Sequence, residues 1–331
     1  MSKIGIVLSV LFLGGSTAAT SHQQVQPSSR AAAGGSARQA EDANFAKGPV
    51  SRSSASTPKN LKMYPEQNQR SNKNWGRALT DIARHLPAGA EYDGAYRRFT
   101  EDYDLVTAGH EWTHYLNAYL CEHETTAYYL MGNKYITLAV PKKLRGILPD
   151  VPGCLQGNLY KLYFVTARAS ARFDPLYLFN EWTAYANDVT VAVDQLAEGK
   201  PLNPFMPDAT QPYTAGNVLE FTFYGCAVGM AVKKHDPQYY ASEAGQKLRD
   251  FITFNALRSL EVYGKALKRV ELNQDDARNP KLLNDFRRSA DTAEMRAWVK
   301  ADLDTDLANA LLGAESPTDS AGSGAARRVL N

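Results

Sequence analysis

The chain has 331 residues, a formal net charge of +2, 44% hydrophobic and 22% charged residues. That length supports one well-packed or two-lobed domain. A charge so close to zero, with no basic stripe interleaved with aromatics, argues against a nucleic-acid groove. Three cysteines leave at least one thiol unpaired, which excludes a disulfide-dense scaffold.

At the N-terminus, Lys3 precedes an apolar run, Ile4–Leu13, and small residues through Ala19. This is the order of a signal peptide, with cleavage expected after Ala18 or Ala19 and export to the periplasm or the medium. The run is too short to span a membrane. Elsewhere Val218–Val232 comes closest to a span, but it is short and carries Glu220. Residues 20–71 are rich in Ser, Ala, Gln, Gly and Arg. Such a stretch buries too little surface to offset its ordering entropy, so a disordered linker or propeptide is expected. Residues 72–312 then form a single catalytic domain, and 313–331 a polar, disordered tail.

Apolar spacing and Gly/Pro/Asp breaks predict helices near 74–86, 101–130, 158–171, 175–198, 215–234, 238–268, 280–288 and 292–312. The clearest strand is Tyr135–Val140, bounded by Gly132-Asn133 and Pro141. The expected fold class is therefore mainly α (α+β), with a small sheet.

Within the second predicted helix, His110-Glu111-Trp112-Thr113-His114 reads H-E-x-x-H. Positions i and i+4 share a helix face one turn apart, so two imidazoles can converge on one ion. Glu111 follows the first histidine, where it can take a proton from a water activated by the metal. Chance would produce this pattern in roughly half a per cent of chains of such composition, which favours a metal site over decorative histidines. Catalytic zinc usually has three protein ligands. The metzincin continuation is absent, because Asn117 and Leu120 occupy its positions. On a straight helix His123 points away from the metal face, and Glu124 lies about 15 Å along the axis from His114.

Glu181 is the better third ligand. Its helix is signalled by Asp174 and Pro175 at one end and by Gly199 and Pro201 at the other. Leu178, Glu181, Tyr185, Asp188 and Ala192 form one stripe, and carboxylates in a mostly apolar stripe need partners. A metal would serve Glu181, while an arginine such as Arg168 or Arg172 is the ordinary alternative. Asp188 or Asn187 could orient a ligating histidine. For an oxyanion donor, Tyr185 and then His235, at a helix end, are the catalytic candidates.

An H-E-x-x-H helix followed by a later glutamate ligand resembles the gluzincin zinc metallopeptidases. The resemblance is specific at His110, Glu111 and His114 and extends to Asn180-Glu181, which is similar to the opening of the second gluzincin motif. It departs at Tyr185, where thermolysin-type members carry an aspartate, so Asp188 fills that role only by analogy. It covers two helices and implies a zincin-like fold, Zn²⁺ as cofactor and a protein or peptide substrate. Zincins usually place a small sheet before the metal helix. Here the clear strand follows it, so either a sheet hides in residues 86–100 or the fold is rearranged.

Two further features accompany this pattern. His110–Tyr115 (HEWTHY) and Asn180–Tyr185 (NEWTAY) echo each other, but six residues do not establish a duplication. Cys121 and Cys154 are the candidate disulfide pair, with Cys226 a buried thiol. The sequence thus supports an exported zinc metalloendopeptidase with His110, His114 and Glu181 on the metal and Glu111 as general base. The alternatives are a zinc hydrolase of cell-wall peptides and an exported helical binding or effector protein whose H-E-x-x-H site is structural or inactive.

Overall fold

A three-stranded antiparallel sheet and a helical body make up the described part of the chain, so the fold is mainly helical with a small sheet. The computed structural model describes residues 58, 60–90, 104–166, 174–203, 215–272 and 279–313. The expected signal peptide, most of the linker and nearly all of the tail lie outside those residues, as do Arg168 and Arg172.

The sheet has the order β1-β3-β2, with β1 at Leu61–Met63, β2 at Thr125–Tyr129 and β3 at Lys134–Ala139. Ile136 of β3 sits in register with Leu61 on one side and Tyr128 on the other. Two of these strands differ from the sequence expectation. β1 falls inside the stretch assigned to linker, where Leu61 and Tyr64 pack against the core. Asn68 then donates from Nδ2 to the carbonyls of Ala83 and Leu86 at 3.0 and 2.8 Å. That closes the last turn of α1, Arg77–His85. The folded region therefore includes residues 60–71. β2 replaces the end of the expected 101–130 helix, because α2 spans Leu105–Leu120 and stops at Cys121. Glu124 turns the chain with φ 61. The β-branched and aromatic run Thr125-Thr126-Ala127-Tyr128-Tyr129 then suits a half-buried pleated surface better than a helix.

The remaining helices are α3 (Tyr177–Ala197), α4 (Gly216–His235), α5 (Pro237–Ala241), α6 (Glu243–Ala266), α7 (Asn279–Arg288), α8 (Ala293–Asp302) and α9 (Thr305–Leu312). Two long predicted helices are each split at a capping residue. Ser242 accepts from Gly245 N to start α6, and Asp304 accepts from Asp306 N to start α9. Residues expected to be helical from 158 form a π-helix at Lys161–Thr166.

Central to the body is α3, which packs against α1, α2, α4 and α6. Its surroundings leave little room for water, so the polar side chains of Glu181, Asn187 and Asp188 are buried among Leu178, Phe179, Trp182 and Val191. Gly109 allows α2 to come close to it, since a Cβ there would lie 3.0 Å from Val191 Cγ2. The sequence echo has a packing meaning. Trp112 and Trp182 are both buried, and Thr113 and Thr183 each return a hydroxyl to the carbonyl four residues back at 2.8 Å.

All three cysteines are free thiols. Cys121 donates its Sγ hydrogen to Asn117 O at the end of α2, whereas Cys154 lines a groove with Lys281, Leu282 and Asp285 of α7. The expected Cys121–Cys154 bridge is absent because the two thiols face different elements. Among the described residues, no helix is long and apolar enough to cross a membrane.

Candidate metal centre

Where α2 and α3 pack together, they bring three ligand-type side chains to one point. Asp104 starts α2 by accepting from Val106 N at 3.0 Å, which sets the helical phase of His110 and His114. Asp174 accepts from Leu176 N at 2.9 Å and opens the turn leading into α3. His110 Nε2 lies 3.0 Å from His114 Nε2 and 3.5 Å from Glu181 Oε2. His114 Nε2 lies 3.5 Å from Glu181 Oε1. A tetrahedral zinc with bonds of about 2.0–2.1 Å would hold neighbouring donors about 3.3 Å apart, so these spacings fit one such ion. The donor chemistry fits as well, with two imidazoles and one carboxylate that could hold a metal ion.

The outer nitrogens of both histidines are already engaged. His110 Nδ1 donates to Asp188 Oδ2 at 2.8 Å, and His114 Nδ1 donates to Asn180 Oδ1 at 3.1 Å. Asn180 Oδ1 also accepts from Asn117 Nδ2 at 2.6 Å, and Asn117 Oδ1 accepts from Tyr129 N of β2 at 2.6 Å. With both Nδ1–H groups directed outward, the two Nε2 atoms face each other as lone-pair donors. They and the Glu181 carboxylate need a cation between them. Without a metal, a proton serves. Burial opposes the charge on His110, but Asp188 and Glu181 outweigh it and push its pKa up to about 10. Burial likewise works against the Glu181 anion, yet His114 and His110 hold its carboxyl well below the usual carboxylate range. Burial raises Asp188 to about 6 despite its bond to His110.

Among the described residues, three tyrosines surround this group. Tyr163, from the π-helix, donates to Glu181 Oε2 at 2.9 Å, with its hydroxyl 3.2 Å from that of Tyr185. The ring of Tyr185 lies edge-on to His110 at 4.7 Å and stacks on Phe221 at 4.9 Å. Tyr177, in the first turn of α3, is 44% exposed, the most open of the three. Burial, then Glu181, then Glu111 push its hydroxyl far above the ordinary tyrosine range, so it remains a proton donor.

The structure therefore brings together His110, His114 and Glu181, and places Asp188 and Tyr185 around them. Asn187 takes another role, donating to Thr113 Oγ1 and to Tyr129 O. His235 does not join the group. It is exposed at the end of α4, about 21 Å along the helix from Phe221, where α4 meets Tyr185. Glu220 is also elsewhere engaged, accepting from Asn158 N, Leu159 N and the Tyr224 hydroxyl at 2.8–2.9 Å. Sequence reasoning missed Tyr163, Tyr177 and the role of Asn180. Tyr177 was within reach, because it stands one turn before Glu181 on the same face. Tyr163 carried no signal, since nothing in its spacing ties it to α2 or α3.

No family model, curated protein or solved structure matches this chain.

Proposed function

We propose that the chain is an exported zinc metallopeptidase of gluzincin type, with His110, His114 and Glu181 holding the ion. The observation that carries this reading is the meeting of two Nε2 atoms and a buried carboxylate within 3.0–3.5 Å, with both outer nitrogens oriented by α3. A simple ion-pair role for Glu181 would not require both imidazoles to be held with their lone pairs inward. A zinc ion there would supply a Lewis acid that polarises a carbonyl and brings the pKa of water to about 7.

The chain's own residues divide the remaining work. Glu111 follows His110 on α2, is half-buried, and bears electrostatically on the Tyr177 hydroxyl. It takes the proton from the attacking water and passes it to the departing amine. Tyr177 hydrogen-bonds Glu181 yet is the most exposed of the three tyrosines, so by turning from that carboxylate it is the group best placed to donate to the oxygen that gains charge during attack. Tyr185 instead supports His110 through its ring and keeps its hydroxyl toward Tyr163. Asp188 and Asn180 hold the imidazoles in one tautomer and orientation. The export assignment rests on Lys3, the apolar run Ile4–Leu13 and the small residues that follow.

Glu111→Gln tests the enzymatic part of the reading. It preserves size but cannot accept a proton, so peptide cleavage should fall by about two to four orders of magnitude while zinc content stays at the wild-type level. Full cleavage by this variant would assign the base to another residue. A wild-type chain that binds zinc but cleaves neither proteins nor cell-wall peptides would make the site structural.

A further inference from the structure

The geometry points to Tyr163 as a positioning residue that restricts Glu181 to one metal-binding oxygen. This rests on the metal centre above and goes beyond it, because neither the ligand set nor Glu111 requires a tyrosine at that carboxylate.

Glu181 has its two oxygens turned to different histidines, Oε2 toward His110 and Oε1 toward His114, both at 3.5 Å. Left alone, such a carboxylate could place both oxygens on one ion. Tyr177 also hydrogen-bonds this carboxylate, but the Tyr163 hydroxyl is the one fixed on a single oxygen, donating to Oε2 at 2.9 Å, and it breaks the symmetry. That bond occupies one lone pair of Oε2 and draws the anion's charge toward it. Oε1 is then the better metal donor. Bidentate binding would add a fifth contact and crowd the position that a catalytic site keeps open.

Tyr163 is held firmly enough for this role. Its side chain is buried, its ring packs edge-on to Phe221 at 5.1 Å, and its hydroxyl also meets Tyr185. The backbone behind it is anchored at Asn158 and Leu159, whose N–H groups both donate to the buried Glu220 carboxylate. Gly157 makes that anchor possible, because a Cβ there would lie 2.1 Å from Glu220 Cδ. A strap fixed by Glu220 thus delivers one hydroxyl to one oxygen of the ligand glutamate. This gives the Glu220 carboxylate, buried on α4 outside the His110, His114 and Glu181 group, a structural task at the candidate metal centre.

The test is the visible spectrum of the full-length chain loaded with Co²⁺, which reports coordination number without any need for turnover. The wild-type chain should give the intense bands of a four-coordinate ion. Tyr163→Phe should keep its cobalt but lose about two-fold or more in band intensity, as Glu181 closes on the ion with both oxygens. Gly157→Ala should move the spectrum in the same direction by displacing the strap, and it stands in if Tyr163→Phe does not fold. Either variant folding with a full complement of cobalt and a wild-type spectrum overturns the assignment to Tyr163. A folded wild-type chain that takes up no cobalt overturns the metal centre itself, so the two failures are distinguishable.

Discussion

Asp188 Oδ2 accepts a hydrogen bond from His110 Nδ1 at 2.8 Å, from a position seven residues beyond Glu181 on α3. Seven residues are two helical turns, so ligand and supporting carboxylate lie on one face and address the same imidazole from opposite sides. Asp188→Asn should lower zinc affinity by about 10- to 100-fold. One zinc per chain should still bind at high metal concentration. Competition against a chromophoric chelator measures this, and an unchanged affinity would mean that Asp188 does not govern the His110 donor atom.

The tyrosines make a separable prediction. If Tyr177 donates to the developing oxyanion, Tyr177→Phe should reduce kcat by about 10²–10³ with zinc content and KM little changed. Tyr185→Phe keeps the ring that packs on His110 and Phe221, so its loss should be smaller. Steady-state kinetics on a peptide substrate would reverse this assignment if Tyr185→Phe proved the more damaging change.

Domain boundaries can be tested by truncation. A chain starting at residue 58 should unfold at the same temperature as the longer protein. One starting at residue 72 loses the β1 pairing, the Tyr64 N bond to Asn133 O and both Asn68 bonds to the end of α1. At about 1 kcal/mol for each backbone or capping bond, that should cost about 3 kcal/mol or more. Equal melting temperatures for the two truncations would remove residues 60–71 from the folded unit.

The thiols should behave as three distinct groups. Cys121 is exposed and Cys154 partly so, and both should react with a thiol reagent in the native protein, Cys121 slowed by the burial that raises its thiol and by its bond to Asn117 O. Cys226 is buried, which pushes its thiol up to about 12, and it should react only on unfolding. Mass spectrometry of unreduced protein that found a Cys121–Cys154 peptide would contradict the free-thiol arrangement.

The local parts of the site were the legible ones. His110 and His114 share a turn, so their convergence follows from helical spacing, and Glu181 and Asp188 are carboxylates on an otherwise apolar stripe. Tyr163 was not legible, because its approach depends on a strap anchored by Glu220 from a third helix. β3 was legible as Tyr135–Val140 and is found at Lys134–Ala139, whereas β1 and β2 were missed for different reasons. β1 is only three residues long in a polar surrounding, and the apolar spacing of α2 runs on past Leu120 into Tyr128 and Tyr129, which masked the turn at Glu124. Ser242 and Asp304 were readable caps, but each lies within a longer amphipathic pattern that remained consistent with one helix.

Zinc content after dialysis against a mild chelator tests the central claim most directly, compared across wild type, His110→Ala, His114→Ala and Glu181→Ala. The three-ligand centre predicts one zinc per wild-type chain and near-complete loss in all three variants, with Glu181→Ala as severe as either histidine change. Folded Glu181→Ala protein that keeps its zinc at the wild-type level would contradict it and remove α3 from the ligand set.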